Sequence, residues 1–423
     1  MTALSVLAIL LTLSALFGVA NQLTLRLPNT IGVLVFAMLG SIVLLVVNSV
    51  LPAIDLHGLA KSLLGSINLP EALMNGALSF LLFAGALQVD LGQMLNRKLS
   101  IVTLALIGTL LAVGLLAVAT WFAFPLFGVE VPLIWCIVLG AILAPTDPVS
   151  VVGMLRRLGL PEGLQAVFAG ESLFNDGVGI VAYGVALELA TGTADHGLRS
   201  IGEVFCLEAI GGVLLGFALG WIALALLRIA RDAQVELIIT LALAAGTFSL
   251  AGALHMSGPI ATVVAGLVLG TRHSERWISE HGRHEMRQFW SLIDEVLNAM
   301  LFLLIGFEVL DLPLHPGLIG VAVVAIAIAV AARALSVALA TLPINIVGGS
   351  VAGSHRLGTL VVLAWGGLRG GISVALALAL PDSPYRGTLL TICYAVVVFT
   401  IIVQGLTIEK VAGMFYKLRP AQE

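Results

Sequence analysis

Charge is scarce in this sequence: Asp, Glu, Lys and Arg make up 10% of 423 residues, against 60% hydrophobic ones. A soluble domain carries about a quarter charged residues. A soluble chain of this length would also have to hide more apolar surface than one or two cores can hold. The scarcity argues against any soluble enzyme or binding module and makes lipid the natural solvent. Cysteine is scarce as well. Cys136, Cys206 and Cys393 each sit in an apolar stretch and form no CxxC pair, so packing is their expected role. The basic residues form no run or stripe, and a net charge of −4 points to no nucleic acid partner. No Lys or Arg precedes Arg26, so the first residues, although they include Gly18-Val19-Ala20, lack the basic region of a secretory signal and read as a retained first span.

What the sequence has in abundance is apolar length. A spanning helix needs about 20 mostly apolar residues. The pattern predicts about thirteen of them, at 2–24, 29–50, 69–90, 99–127, 132–154, 162–190, 201–229, 234–254, 258–271, 289–311, 316–346, 356–380 and 385–415. The ninth is short. Fifteen of the twenty Lys and Arg residues fall in loops after odd-numbered spans or at the C-terminal end. The positive-inside rule then places the N-terminus outside and the C-terminus in the cytoplasm. The polar stretch from Arg272 to Arg287 holds His273, His281 and His284, but its H-x-x-H-E order is neither zinc-protease pattern, so an amphipathic or looped cytoplasmic connector is expected. Residues 416–423 are expected to form a short cytoplasmic tail, and the compact chain suggests a multi-pass protein of a bacterial inner membrane.

A charge near the bilayer centre costs about 2.5–3.5 kcal/mol on insertion scales, so the chemistry should sit where this sequence accepts that cost. Asp147, Glu171, Asp176, Arg333 and Arg369 stand inside apolar spans, with Asp294 and Glu295 nearer a helix end. The fifth span contains Ala144-Pro145-Thr146-Asp147-Pro148, and two prolines three residues apart break a helix. A break at membrane depth is tolerated where it is buried or lines a cavity. Thr146 and Asp147 offer oxygen ligands in it. The sixth span contains Gly170-Glu171-Ser172-Leu173-Phe174-Asn175-Asp176-Gly177. Glu171 and Asn175 share a helix face, as do Ser172 and Asp176. Glu171 and Asp176 lie about 140° apart around the helix and should have different partners. The twelfth span contains Gly366-Gly367-Leu368-Arg369-Gly370-Gly371, a second point of expected unwinding. Two interrupted helices in corresponding positions of two halves point to a transporter site at the midplane. Spans one to six and eight to thirteen would be inverted repeats joined by span seven.

The strings APTDPVSV, GESLFNDGVGIV and GGLRGGISVALALALP, in this order, and the stretch Phe289 to Val309, resemble the bacterial NhaP and animal NHE sodium/proton exchangers, the monovalent cation:proton antiporter-1 family. The resemblance covers most of the chain. It implies an all-α polytopic membrane fold of about thirteen transmembrane helices, with inverted repeats and two broken crossing helices. It implies one transporter domain over 1–415. A scaffold and dimer part would span about 1–92 and 234–311, a core ion-transport part about 97–190 and 316–415, with 201–229 linking them. Asp176 would take either a cation or a proton. Thr146, Ser172 and the Asp147 region would complete the sodium site, and Asn175 would fix the crossing. Glu171 would pair with Arg369, while Arg333 has no obvious partner. Relatives tend to carry an acid in the third span, where this chain has Phe83-Ala84-Gly85-Ala86 and reaches an acid only at Asp90.

The expected activity is electroneutral antiport of sodium or lithium against protons, with potassium as the alternative ion. Burial disfavours a charged carboxylate and a nearby cation favours it, so one site competed for by two ions suffices for coupling. Hard oxygen ligands suit sodium or lithium. No cofactor is needed, the protein is not an enzyme, and the partners are the lipid bilayer, the transported ions and a second copy in a homodimer. A cation channel would build its filter from several subunits. An intramembrane aspartyl protease would need no arginine among glycines.

Overall fold

The computed structural model describes residues 3–50, 76–89, 91–147, 149–192, 198–230, 232–271, 276–311, 316–346, 351 and 356–416, and no strand occurs among them. Its elements follow the apolar runs. Helices α1 (Ala3–Leu23) and α2 (Asn29–Val50) form an antiparallel pair, followed by α3 (Leu78–Leu87) and the short α4 (Leu91–Asn96). The long α5 (Lys98–Phe127) contains a π-helical turn at Thr103–Gly108 and ends in a 3-10 turn. The fifth expected span is two helices, α6 (Leu133–Leu143) and α7 (Val149–Arg157). Then come α8 (Glu162–Thr191), α9 (Leu198–Ile229), α10 (Ala233–Ala253), α11 (Gly258–Leu269), α12 (Glu280–Phe307) and α13 (Pro316–Ile346). The twelfth expected span is again two helices, α14 (Arg356–Trp365) and α15 (Gly371–Leu378), and α16 (Arg386–Gly413) closes the described chain. Asp90, Pro148, His273 and the tail from 417 onward lie outside the described residues, as does the start of the third expected span.

One boundary differs clearly from the sequence pattern. The tenth span begins at Glu280, not near 289, so the part of the expected connector that carries His281 and His284 is helical. Ser279 caps it by accepting from Gly282 N at 3.0 Å. Glu236 at the start of α10 holds that cap in turn, accepting from Ser279 N and Ser279 Oγ at 3.1 Å each. His281 then pairs with Glu285 one turn on, in the exposed part of the helix. No group of His, Cys, Asp and Glu suited to a metal occurs among the described residues.

Packing explains which face each helix turns inward. One cluster joins α5, α6, α8, α13, α15 and α16 through residues such as Leu116, Leu139, Val321, Leu376 and Val397. A second joins α3, α9, α10, α11 and α12 around Phe83, Leu227, Ala265 and Trp290. Trp290 Nε1 donates to Thr240 Oγ1 at 3.0 Å, so its polar edge is satisfied inside that cluster. A smaller one ties α1 and α2 to α12. The outward faces remain apolar: Leu214, Phe217 and Trp221 on α9 and Ile319 and Val323 on α13 are all more than half exposed. Such faces suit hydrocarbon, where backbone groups are satisfied within helices and side chains need only be apolar.

Candidate ion-binding site

The two broken helices cross. Asp147 N, in the segment between α6 and α7, donates to Leu368 O in the segment between α14 and α15 at 2.8 Å. Each break thereby supplies a backbone partner that a continuous helix would have supplied itself. Around the crossing the glycines act by closeness, since none from 366 to 371 has positive φ. A Cβ on Gly370 would lie 2.6 Å from Asp147 Cβ, and one on Gly367 would lie 2.5 Å from Arg333 Nε.

Arg369 is buried in this unwound stretch. The fold differs here from the ion pair expected with Glu171. Arg369 donates through Nη1 to Ala144 O at 2.6 Å and Pro145 O at 3.1 Å, while its own N–H donates to Thr400 Oγ1 at 3.1 Å. The physical reason lies in the first break. In a continuous helix Ala144 O would accept from residue 148, which is proline and has no N–H. The C-terminal end of α6 is therefore left with free carbonyls and partial negative charge, which a guanidinium satisfies.

Glu171 takes Arg333 instead. The two form a two-point pair, Nη1 to Oε1 at 2.5 Å and Nη2 to Oε2 at 2.9 Å, with both side chains buried. Arg333 Nη2 also reaches Leu363 O at 3.3 Å, so α13 is tied to both α8 and α14. Sequence reasoning missed this partner, although a lone arginine deep in an otherwise apolar span signals a buried acid nearby.

Asp176, on a different face of α8, has no such partner. It is buried, and no protein group bonds to its Oδ1. It lines a cavity at the crossing together with Pro145, Thr146, Asp147, Leu173 and residues Gly370 to Ser373. Asn298 and Leu301 of α12 and Leu81, Leu82 and Gly85 of α3 close the far side. The cavity offers about 50 Å³ to the centres of water-sized molecules, room for an ion with part of its hydration shell. Among the described residues no Lys, Arg or His lines it. Two carboxylates, hydroxyls and an amide therefore set its character, and hard oxygen donors of this kind suit a small alkali cation.

The remaining expected site residues stand one layer back. Asn175 Nδ2 donates to Thr146 Oγ1 at 2.7 Å, Asn175 Oδ1 accepts from Thr146 N at 3.3 Å, and Nδ2 reaches Glu171 Oε1 at 3.4 Å. Ser172 Oγ lies 3.1 Å from Thr146 Oγ1. Thr146, Asp147 and Asp176 thus reach the cavity, and Asn175 and Ser172 hold Thr146 in place.

A cavity bearing carboxylates at the crossing of two interrupted helices, inside a bundle whose outer surface is apolar, is how secondary transporters build a substrate site. The fold therefore defines a polytopic membrane transporter rather than an enzyme. Comparison with known proteins makes this specific. The family model for the transmembrane sodium/hydrogen exchanger matches residues 8–412. The chain is similar to the Na(+)/H(+) antiporter NhaP of Pseudomonas aeruginosa, at 38% identity over 99% of both chains. It is also similar to the Na(+)/H(+) antiporter NhaH of Halobacillus dabanensis, at 32% identity over 78% of this chain and 80% of that one. Among solved structures, the sodium proton antiporter MjNhaP1 from Methanocaldococcus jannaschii shares the fold, with a TM-score of 0.75 and 20% identity over 98% of each chain. This chain belongs to the sodium/hydrogen exchanger family.

Proposed function

We propose that the protein exchanges sodium or lithium for protons across a membrane, with Asp176 occupied in turn by the cation and the proton. The observation that carries the reading is the orphaned Asp176 Oδ1 on a cavity lined by two carboxylates and, among the described residues, by no basic side chain. A cation entering the cavity gains Asp176 together with oxygens of Thr146 and Asp147, and the proton leaves as it does so. When the cation departs, a proton returns to Asp176, so the site seldom crosses the membrane as a bare charge. Its neighbour Asn175 has no proton to give, which supports one-for-one, electroneutral exchange. No cofactor enters the scheme.

Alternating access would come from rocking of one body against another. The core would comprise about 97–190 and 316–415, and the scaffold and dimer contact about 1–92 and 234–311. The excess of Lys and Arg after odd-numbered spans supports an external N-terminus and a cytoplasmic C-terminus in a bacterial inner membrane.

The test uses purified protein in liposomes with an acid lumen and a pH-sensitive dye. Sodium and lithium should dissipate the gradient, and Asp176→Asn should abolish the response. A response to potassium alone would move the substrate assignment to that ion, and no response to any of the three at any pH would overturn the antiport reading.

A further inference from the structure

Ser373 is the third residue of α15, buried, and lines the same cavity as Asp176. Some buried hydroxyls of this protein, those of Thr109, Thr247 and Thr262 among them, have no partner among the described residues, while others are satisfied by the carbonyl one turn back, as in Thr120 to Leu116 O at 2.7 Å and Thr341 to Val337 O at 2.9 Å. Ser373 cannot copy them, because one turn back is Arg369 in the unwound segment. Its Oγ has no protein partner. Its backbone carbonyl is engaged, accepting from the Cys393 thiol at 3.5 Å, so the residue is anchored and the hydroxyl alone is left over.

An unpaired buried hydroxyl costs about 1–3 kcal/mol, and alanine is the better helix former at an apolar position. The neighbouring positions of α15 are Val374, Ala375 and Ala377. What sets Ser373 apart from the other unpaired buried hydroxyls is its place on the cavity wall, which it shares with Asp176. The same cavity is lined by a second orphaned oxygen, Asp176 Oδ1. One orphan comes from the continuous helix α8 and the other from α15, just after the second break, and one cation in the cavity would satisfy both. The N-terminal turn of α15 presents partial positive charge to the cavity, which by itself repels a cation. The Ser373 oxygen is the acceptor that this end contributes.

We propose that Ser373 is a ligand of the transported cation, completing from α15 the oxygen set begun by Asp176, Thr146 and Asp147. The inference rests on the reading of Asp176 as the ion carrier. Because a hydroxyl both accepts and donates, Ser373 offers a lone pair to the cation and can turn its hydrogen toward a carboxyl oxygen of the cavity when the cation has left and the proton has returned.

The test is Ser373→Ala in the full-length purified protein, read by thermal unfolding with and without sodium and by sodium-driven dye recovery in liposomes. Losing a polar contact to a charged group of about 1.5–3 kcal/mol raises the half-saturating sodium concentration about tenfold or more, with the rate at saturating sodium retained. The sodium-induced rise in unfolding temperature shrinks accordingly, while the sodium-free unfolding temperature stays the same or increases. A fall in sodium-free stability would make the hydroxyl structural and overturn the proposal. Unchanged half-saturation beside an intact wild-type sodium response would overturn it alone. A wild type indifferent to sodium and lithium in both assays would remove it together with the antiport reading.

Discussion

Arg333 and Glu171 meet in a two-point ion pair at 2.5 and 2.9 Å, both buried within the helical bundle and 162 residues apart in sequence. The pair joins α13 to α8, the helix that also bears Asp176. Removing one partner of such a pair leaves a buried charge unpaired and costs about 3–5 kcal/mol, whereas replacing both by apolar residues is often neutral. Glu171→Gln and Arg333→Met should each lower the unfolding temperature of the purified protein markedly. The double substitution Glu171→Met with Arg333→Met should recover more than half of that loss. A cycle built from Glu171 and Arg369 should show no comparable recovery. Equal recovery in both cycles would mean that the charge network is shared rather than pairwise.

Arg369 acts on backbone, and its substitution should therefore behave differently. Arg369→Met strands Ala144 O and Pro145 O, each a buried acceptor worth about 1–3 kcal/mol when left unsatisfied. The first break would reorganise, moving Thr146 and Asp147. Sodium-driven transport should fall to background even where detergent-solubilised protein stays monodisperse. Transport retained within twofold would show that the break holds its shape without the guanidinium.

Asn175 bears on stoichiometry. It bonds to both the N–H and the hydroxyl of Thr146 and carries no proton to exchange. If Asp176 is the one exchanging group, the sodium-driven rate should be unchanged when a potassium gradient and valinomycin impose a membrane potential of either sign. A rate that follows the imposed potential would require a second charge to move. Asn175→Ala should leave transport voltage-insensitive but raise half-saturating sodium about tenfold, since two hydrogen bonds that position Thr146 are lost.

The sequence displayed its breaks more readily than its pairs. Pro145 and Pro148 forbid a continuous helix by covalent chemistry, and the glycines flanking Arg369 mark close approach, so both interruptions were visible without coordinates. Helix periodicity likewise separated Glu171 from Asp176, and the structure gives them different surroundings. What periodicity could not assign was the partner of each charge. Arg333 and Arg369 lie 36 residues apart on different helices, and either could in principle have faced Glu171. The choice follows from where free carbonyls lie after α6 ends, a three-dimensional fact that the proline at 148 hinted at. Asn298 and Ser373 were invisible for another reason: single polar residues in apolar helices usually bond to their own backbone, and only the cavity separates these two from the rest.

Competition at Asp176 gives a prediction about pH whose sign follows from mass action. The cation needs the ionised carboxylate, and the proton needs the same oxygens, so apparent cation affinity depends on how often the proton is absent. As pH falls, more of the site is proton-bound and the half-saturating sodium concentration must rise. Over the range where the proton dominates, it should rise about tenfold per pH unit for a single exchanging group. At alkaline pH it should level off at the intrinsic value for sodium. Half-saturation measured for sodium and for lithium, at equal pH on both sides of the liposome membrane, provides the check. Parallel lines of unit slope for the two ions would fit one shared carboxylate. A slope near two would mean that a second acid titrates with Asp176, and Asp147 on the same cavity would be the group to substitute next.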